Sequence, residues 1–238
     1  MNVRRRPGLT TSDRSIFRPR PKLSLRWLWF LLCPLLLVAA CQASGPDPCN
    51  PPGTLFADDF SGEQDCGWVF YDSGGASAKI EDGSMIVSTN QPGQIWWTNP
   101  GRQFSDGVIS VRTQVVSGPD DNAYGVICRY QDNNNYYVFL ISGDGFYAIG
   151  RYTAGNNQVT YLTGGGEYVP SDIINQGNSQ NQMRVTCAEN QLVLAVNGIE
   201  LEAITDTAFT QGDIGLAVST FQAGTLQVRF NDLEVVAP

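Results

Sequence analysis

Residues 191–203 read Gln-Leu-Val-Leu-Ala-Val-Asn-Gly-Ile-Glu-Leu-Glu-Ala. Two short runs rich in apolar and branched side chains flank Asn197-Gly198. An Asn-Gly pair favours a two-residue hairpin turn, because both of its positions adopt positive φ. This stretch therefore predicts two antiparallel strands, at 191–196 and 199–203, and it sets the fold class for the chain.

Short apolar runs separated by turn residues also occur along the chain on both sides of this hairpin. Further turns are predicted at 132–135, 142–145 and 189–190, and one helical turn at 170–175. Many short strands and almost no helix predict an all-β fold, with two antiparallel sheets packed face to face. The predicted strands lie near 54–60, 67–71, 76–80, 84–89, 94–98, 107–116, 124–131, 136–142, 145–152, 157–162, 182–188, 191–196, 199–203, 212–220 and 225–236.

The amino terminus is typical of an export signal. Residues 1–26 carry eight Lys and Arg against one acid, and an apolar run at 27–40 ends in small side chains. The run is shorter than the ~20 apolar residues that cross a bilayer. Val38-Ala39-Ala40-Cys41 is similar to the lipobox of bacterial lipoproteins, which implies cleavage before Cys41 and a lipid on its thiol. The alternatives are a simple secretory signal and an uncleaved anchor.

Three regions follow from this interpretation: a signal peptide at 1–40, a Pro- and Gly-rich spacer at 41–53 and a β-sandwich domain at 54–238. The whole chain has a net charge of −8, from 15 basic and 23 acidic residues. Without residues 1–40 it holds 7 basic and 22 acidic residues, a net of −15. Such an acidic surface disfavours nucleic acid. We expect an extracytoplasmic protein that is attached to a membrane through its lipid anchor alone.

Four cysteines remain in the predicted domain and spacer: Cys49, Cys66, Cys128 and Cys187. An even number in an oxidising compartment favours two disulfides. Of the three possible pairings, Cys49 with Cys66 and Cys128 with Cys187 is preferred, the first local and the second joining two strands. Zinc is disfavoured, because the chain has no Cys-x-x-Cys pair and no histidine.

Several strand and turn segments resemble the concanavalin A-like jelly-roll superfamily, within it the bacterial extracellular group that includes the 3-keto-disaccharide hydrolase domain and laminin-G-like domains. The resemblance implies a two-sheet antiparallel jelly roll. One fold of this kind hosts many functions, so the resemblance implies little about the reaction or the ligand of this chain. The segments that carry it are 55–61, 67–68, 125–132, 136–137, 144–147, 181–185, 192–198, 212–216 and 230–235.

No catalytic residue is predicted. Laminarinase-type hydrolases of the superfamily carry Glu-x-Asp-x-x-Glu on one strand, and this chain lacks that motif. The absence of histidine excludes Ser-His-Asp and Cys-His catalysis and the usual zinc hydrolases. Two alternatives to a binding protein stay open: a glycoside-acting hydrolase of the 3-keto-disaccharide type, with its acids on separate strands, and a structural or adhesion module that binds protein.

The aromatic and basic residues of the central strands predict a carbohydrate-binding face. If Cys128 faces the core, its neighbour Arg129 points outward. Adjacent tryptophans on a strand point to opposite faces. We therefore expect an exposed surface around a poly- or oligosaccharide, while the alternative is that these aromatics fill the core. The candidate ligand-binding residues are Trp96, Trp97, Arg129, Tyr137, Tyr147 and Arg151.

No cofactor is required by these patterns. Jelly-roll relatives often hold a structural calcium where the first and last strands meet, and the resemblance places its ligands at Asp58 or Asp59 and at Asp232. Calcium needs six to eight oxygen ligands. The alternative is that Asp59 caps a turn and Asp232 is a surface charge.

Overall fold

The computed structural model describes residues 47–238, so the predicted signal peptide (1–40), the lipid site at Cys41 and residues 41–46 of the spacer lie outside the described residues. The described part forms sixteen strands and no helix. They are β1 (Phe56–Asp58), β2 (Tyr71–Ser73), β3 (Ala76–Glu81), β4 (Ser84–Thr89), β5 (Ile95–Thr98), β6 (Gly107–Ser117), β7 (Asn122–Asp132), β8 (Asn135–Ile141), β9 (Phe146–Tyr152), β10 (Thr160–Tyr161), β11 (Val169–Pro170), β12 (Gln180–Ala188), β13 (Gln191–Val196), β14 (Ile199–Thr205), β15 (Asp213–Thr220) and β16 (Leu226–Val236).

The strands form two antiparallel sheets. Sheet A has nine strands in the order β14-β13-β12-β6-β16-β4-β3-β2, with β1 paired to β16. Sheet B has seven, in the order β10-β9-β8-β7-β15-β5, with β11 paired to β9. The prediction of an all-β fold with two antiparallel sheets is confirmed. No helix within residues 47–238 is long and apolar enough to cross a membrane.

The predicted turns join the expected strands. Asn197 and Gly198 have φ values of 52° and 83° between β13 and β14, as the Asn-Gly signal requires. Glu189 also has positive φ, at the turn between β12 and β13. Two local predictions are wrong. The strand predicted at 67–71 begins only at Tyr71, and the helical turn predicted at 170–175 is absent, since its first residue belongs to β11.

The core lies between the two sheets and consists of the side chains that alternate inward from each strand. Phe56, Met85 and Phe230 of sheet A and Tyr124 and Phe139 of sheet B are fully buried there. Burying one such side chain contributes roughly 1.5–3 kcal/mol to the free energy of folding. In sheet A the burial alternates clearly along β12 and β16, so one face of that sheet is buried against sheet B.

A second apolar cluster covers the outer face of sheet B. Its buried members are Ala123, Ile127, Tyr136, Val138, Leu140 and Ala217, and Trp97, Tyr130, Tyr152, Val159 and Tyr168 are partly buried against them. The central strands of sheet B are therefore apolar on both faces. This explains the nearly continuous apolar sequence of β8, whose burial does not alternate.

Both predicted disulfides are present in the preferred pairing, Cys49 with Cys66 and Cys128 with Cys187. The second joins β7 of sheet B to β12 of sheet A across the core. The first holds part of the predicted spacer against the domain: Cys49 is buried, and its carbonyl accepts a hydrogen bond of 2.9 Å from the Ala57 amide.

Candidate functional site

The edge of sheet B at β5 carries an open cavity of about 370 Å³. Trp96 faces the inter-sheet core, with its ring centroid 6.1 Å from that of Tyr71, whereas Trp97 faces the outer cluster, 5.4 Å from Tyr136. The predicted opposite orientation of the two tryptophans is thus observed. Because β5 is an edge strand, both rings reach the same cavity. Its lining residues are Val69, Tyr71, Ser73, Trp96, Trp97, Thr98, Asn99, Tyr130 and Asn133.

One wall of the cavity is the extended segment before β2. The Thr98 hydroxyl donates a hydrogen bond of 2.7 Å to the Val69 carbonyl, and the Val69 amide donates one of 3.1 Å to the Asn99 carbonyl. These two bonds fix the segment beside β5. They hold Val69 at the rim with 58% of its surface exposed.

Two asparagine side chains give the cavity a hydrogen-bond donor and a hydrogen-bond acceptor. The Tyr130 hydroxyl donates a hydrogen bond of 2.6 Å to Oδ1 of Asn133, so the Nδ2 protons of that amide can serve a ligand. Nδ2 of Asn99 donates to the Ile214 carbonyl, which leaves its Oδ1 as an acceptor. Sugar hydroxyls both donate and accept hydrogen bonds, so such a pair of amides suits them.

The aromatic residues of the cavity are uncharged and partly desolvated. Burial raises the pKa of the Tyr130 hydroxyl, and the negative charges of Asp132 and Asp213 add to that effect. Burial raises the pKa of Tyr71 to about 12. Its hydroxyl and the Nε1 of Trp96 are buried and have no hydrogen-bond partner. Buried polar groups that lack partners are uncommon in folded proteins, and these two lie at the wall of the cavity.

Arg129 does not lie on an exposed face, and the prediction that its side chain points outward is wrong. Its side chain is only 2% exposed. The residue has a φ of 52° at an irregularity in β7, which breaks the alternation that the prediction assumed. The guanidinium instead donates hydrogen bonds to three backbone carbonyls and pairs with the carboxylate of Asp106 at 3.0 Å; the carbonyls belong to Ser105, Glu189 and Phe209.

Tyr137 is buried between the sheets, and Arg151, whose side chain is 30% exposed, lies on the same face of sheet B. Tyr137 is paired with Cys128 and with Arg151 across neighbouring strands, which puts all three side chains on the inner face. The Tyr137 hydroxyl and the Arg151 guanidinium both donate hydrogen bonds of 2.5 Å to the Asp206 carboxylate. Burial alone would raise the pKa of Asp206, but these bonds and one from the Ala208 amide lower it.

Tyr147 is the third residue of this inner group. It is buried, and its hydroxyl donates a hydrogen bond of 3.2 Å to the Leu201 carbonyl of β14. Burial raises its pKa, and the nearby Glu202 carboxylate adds to the effect. The aromatic and basic residues predicted to surround a glycan, apart from the two tryptophans, therefore tie sheet B to β14 and to the loop after it.

Sequence reasoning missed most of the cavity. Strict alternation from Cys128 would put Tyr130 in the core. The irregularity at Arg129 instead shifts the following side chains, and Tyr130 packs against Trp97 of the outer cluster, with ring centroids 5.9 Å apart. Asn133 lies in the turn predicted at 132–135, and the turn explains this residue without a ligand contact. The adjacent tryptophans were the one signal in the sequence that pointed to this edge of the sheet.

The structure brings the predicted calcium ligands to one surface cavity, but their carboxylates are already used. Asp58 accepts hydrogen bonds from the Phe60 amide and the Trp68 indole, Asp59 accepts one from Ser61, and Asp232 forms an ion pair with Arg112. Within residues 47–238, no group of three or more His, Cys, Asp or Glu side chains could hold a metal. The structural calcium at Asp59 and Asp232 therefore stays a prediction.

Comparisons with known proteins identify the fold but not a family. No protein-family model matches this chain, and no curated protein matches it. Many solved structures are similar to it. One is the carbohydrate-binding module CBM66 from Bacillus subtilis, at 14% identity over 72% of this chain and 96% of that chain, with a TM-score of 0.55.

Two further solved structures have the same architecture. A protein of unknown function with a galectin-like fold from Bacillus subtilis is 11% identical over 78% of this chain and 96% of that chain, with a TM-score of 0.57. The Bacillus licheniformis beta-glucanase is 13% identical over 79% of this chain and all of that chain (100%), with a TM-score of 0.55. The two-sheet antiparallel jelly-roll sandwich predicted from the sequence is confirmed as the fold of residues 47–238.

Proposed function

We propose that the domain is a lectin-like module that binds a carbohydrate in the β5 cavity and has no catalytic residues of its own. The observation that carries this proposal is the joint presence of the Trp97 and Tyr130 rings and the Asn99 and Asn133 amides in one open cavity. Its volume of about 370 Å³ lies in the ordinary range of ligand sites. The similar architecture of the carbohydrate-binding module CBM66 supports the proposal.

The cavity suits the two kinds of surface that a sugar presents. The apolar face of a pyranose ring packs on an aromatic ring, and Trp97 offers the largest such surface at the rim. The hydroxyls at the edge of the sugar meet Asn133 as donor and Asn99 as acceptor. Because the amides are already oriented by Tyr130 and Ile214, little side-chain freedom is lost on binding.

Binding is favoured over hydrolysis by the composition of the cavity wall. A glycosidase needs two carboxyl groups, about 5 Å apart in retaining enzymes and about 6.5–9.5 Å apart in inverting ones. The nine residues that line the β5 cavity include neither Asp nor Glu. Similar structures include both a binding module and a glucanase, so the fold alone does not decide between these functions.

A glycan array followed by calorimetric titration of the best-bound oligosaccharide tests the proposal. We expect Trp97→Ala to weaken binding at least tenfold, since it removes the stacking surface. Phe221→Ala is the matched control, because Phe221 is a 40% exposed aromatic residue outside the cavity. Equal affinity of the two variants, or an array without a hit, would contradict the proposal.

We also propose that the protein is held outside the cytoplasm by a lipid on Cys41. The support is the basic and then apolar sequence of residues 1–40 and the lipobox-like Val38-Ala39-Ala40-Cys41. Radiolabelled palmitate should be incorporated by the protein in a bacterial host and lost in Cys41→Ser. Incorporation that persists in that variant would contradict the proposal.

A further inference from the structure

We infer that the ligand of the β5 cavity is an uncharged glycan, and that the site discriminates against glycans bearing carboxylate or sulfate groups. This inference rests on the proposed function and adds the substrate class. It follows from the charges that surround the cavity and from the positions of all the basic side chains in the described part of the chain.

The cavity wall itself contains no charge. Its nine residues are apolar, aromatic, hydroxyl or amide side chains. A carboxylate or sulfate group is bound in proteins by Arg or Lys, most often through charge-assisted and bidentate hydrogen bonds. The amide protons of Asn133 are neutral donors and supply no positive charge to a bound anion.

No Lys or Arg of residues 47–238 lines the cavity. Residues 47–238 contain seven Lys and Arg, and five of them form ion pairs: Lys79 with Glu81, Arg102 with Asp47, Arg112 with Asp232, Arg129 with Asp106 and Arg151 with Asp206. The other two, Arg184 and Arg229, belong to β12 and β16 of sheet A. At least two strands of that sheet separate each of them from β2, whose residues Tyr71 and Ser73 line the cavity.

Acidic residues stand beside the cavity instead. Asp72 lies between two lining residues on the exposed edge strand β2, and Asp132 precedes the lining residue Asn133. Asp213 is paired with Tyr130 in sheet B. The negative charges of Asp132 and Asp213 lie close enough to the Tyr130 hydroxyl to raise its pKa. An anionic sugar in the cavity meets these like charges, and no Lys or Arg side chain lines the wall.

The test compares matched ligands that differ only in charge. The first arm screens neutral, uronate and sulfated oligosaccharides on one array. The second arm titrates the best-bound neutral oligosaccharide and the same compound after oxidation of its primary hydroxyls to carboxylates. We expect the oxidised form to bind at least tenfold more weakly. Affinity for the neutral form should change less than about twofold between 50 and 500 mM salt, since only charge-charge attraction is screened.

A charge-introducing variant shows whether the discrimination is electrostatic. Ser73→Lys places a cation at the exposed rim, and we expect the preference for the neutral ligand to fall severalfold. Gln191→Lys has the same net charge but lies on β13, at the far side of sheet A, and should keep the full preference. Binding of anionic glycans alone, or equal preference in both variants, overturns this inference. An absence of binding to every glycan class counts against the proposed function itself.

Discussion

The hydroxyl of Thr98 donates a hydrogen bond of 2.7 Å to the carbonyl of Val69, 29 residues earlier in the chain. This bond and the one from the Val69 amide to the Asn99 carbonyl attach the cavity wall at Val69 to the end of β5 and the residue after it. The shape of the proposed binding site therefore depends on a buried hydroxyl that a sugar does not need to contact.

Thr98→Val should loosen this wall while changing the packing little. Loss of the hydrogen bond should cost about 1 kcal/mol of stability, because the Val69 carbonyl loses its donor. We expect glycan affinity to fall about fivefold, measured by calorimetry. Thr98→Ser keeps the hydroxyl and is the control. A variant pair with equal affinities would mean that this bond does not shape the site.

Arg129 should prove to be a stability residue. Arg129→Ala removes the donor to three buried or half-buried carbonyls and the partner of Asp106, so we expect a loss of about 3 kcal/mol in the free energy of unfolding. Arg184→Ala, an exposed arginine on β12, should change it by less than about 0.5 kcal/mol. Urea denaturation measures both.

The same pair of variants separates stability from binding. At a temperature where Arg129→Ala is folded, its glycan affinity should equal that of Arg184→Ala, because neither residue lines the β5 cavity. A selective loss of affinity in Arg129→Ala would restore the role that the sequence suggested for this residue.

Asp213 should give the protein an unusual dependence of stability on pH. Burial raises the pKa of its carboxyl from 3.8 to about 6, and hydrogen bonds from the Gly101 and Ile214 amides only partly oppose this. The folded state therefore binds this proton more tightly than the unfolded state does. The contribution of Asp213 to stability is fully present below about pH 4 and is lost as the pH rises to about 6.

Asp213→Asn removes this titration. The difference in unfolding free energy between the native protein and the variant should decline by up to about 3 kcal/mol between pH 4 and pH 6.5. Urea denaturation at several pH values measures it. Parallel curves across that range would show that Asp213 has no raised pKa in the folded protein.

The two disulfides should contribute unequally. Cys128 and Cys187 are separated by 59 residues, whereas Cys49 and Cys66 are separated by 17. Loop-closure entropy then predicts a loss of about 4 kcal/mol for the Cys128→Ala/Cys187→Ala double variant and about 3 kcal/mol for Cys49→Ala/Cys66→Ala. Equilibrium denaturation of both variants checks the order, and a reversed order would contradict it.

Local signals in the sequence were sufficient for the fold class. The Asn197-Gly198 turn depends only on the φ preferences of two adjacent residues, and it joins β13 and β14 as predicted. The turn therefore needs no knowledge of which distant strands become neighbours. The bridge between Cys128 and Cys187 does need it, so the sequence left three pairings open, and the preferred one is confirmed.

The site was harder to predict, since it depends on register. Tyr137 faces inward because it is paired with Cys128, and no pattern within β8 reveals that pairing. Alternation also failed beyond Arg129, where a residue with positive φ shifts the side chains that follow, including Tyr130. The cavity wall depends on a contact between Val69 and Thr98 that sequence patterns do not show.

The most direct test of the account follows the indole N–H signals of the protein by NMR during titration with the best-bound neutral oligosaccharide. Trp97→Phe assigns the Trp97 signal, and Trp68, whose indole donates to Asp58 at 2.9 Å, is the internal reference. We predict that the Trp97 signal shifts in a saturable manner and that the Trp68 signal does not move. An unchanged Trp97 signal at saturating ligand would contradict the assignment of the β5 cavity as the glycan site.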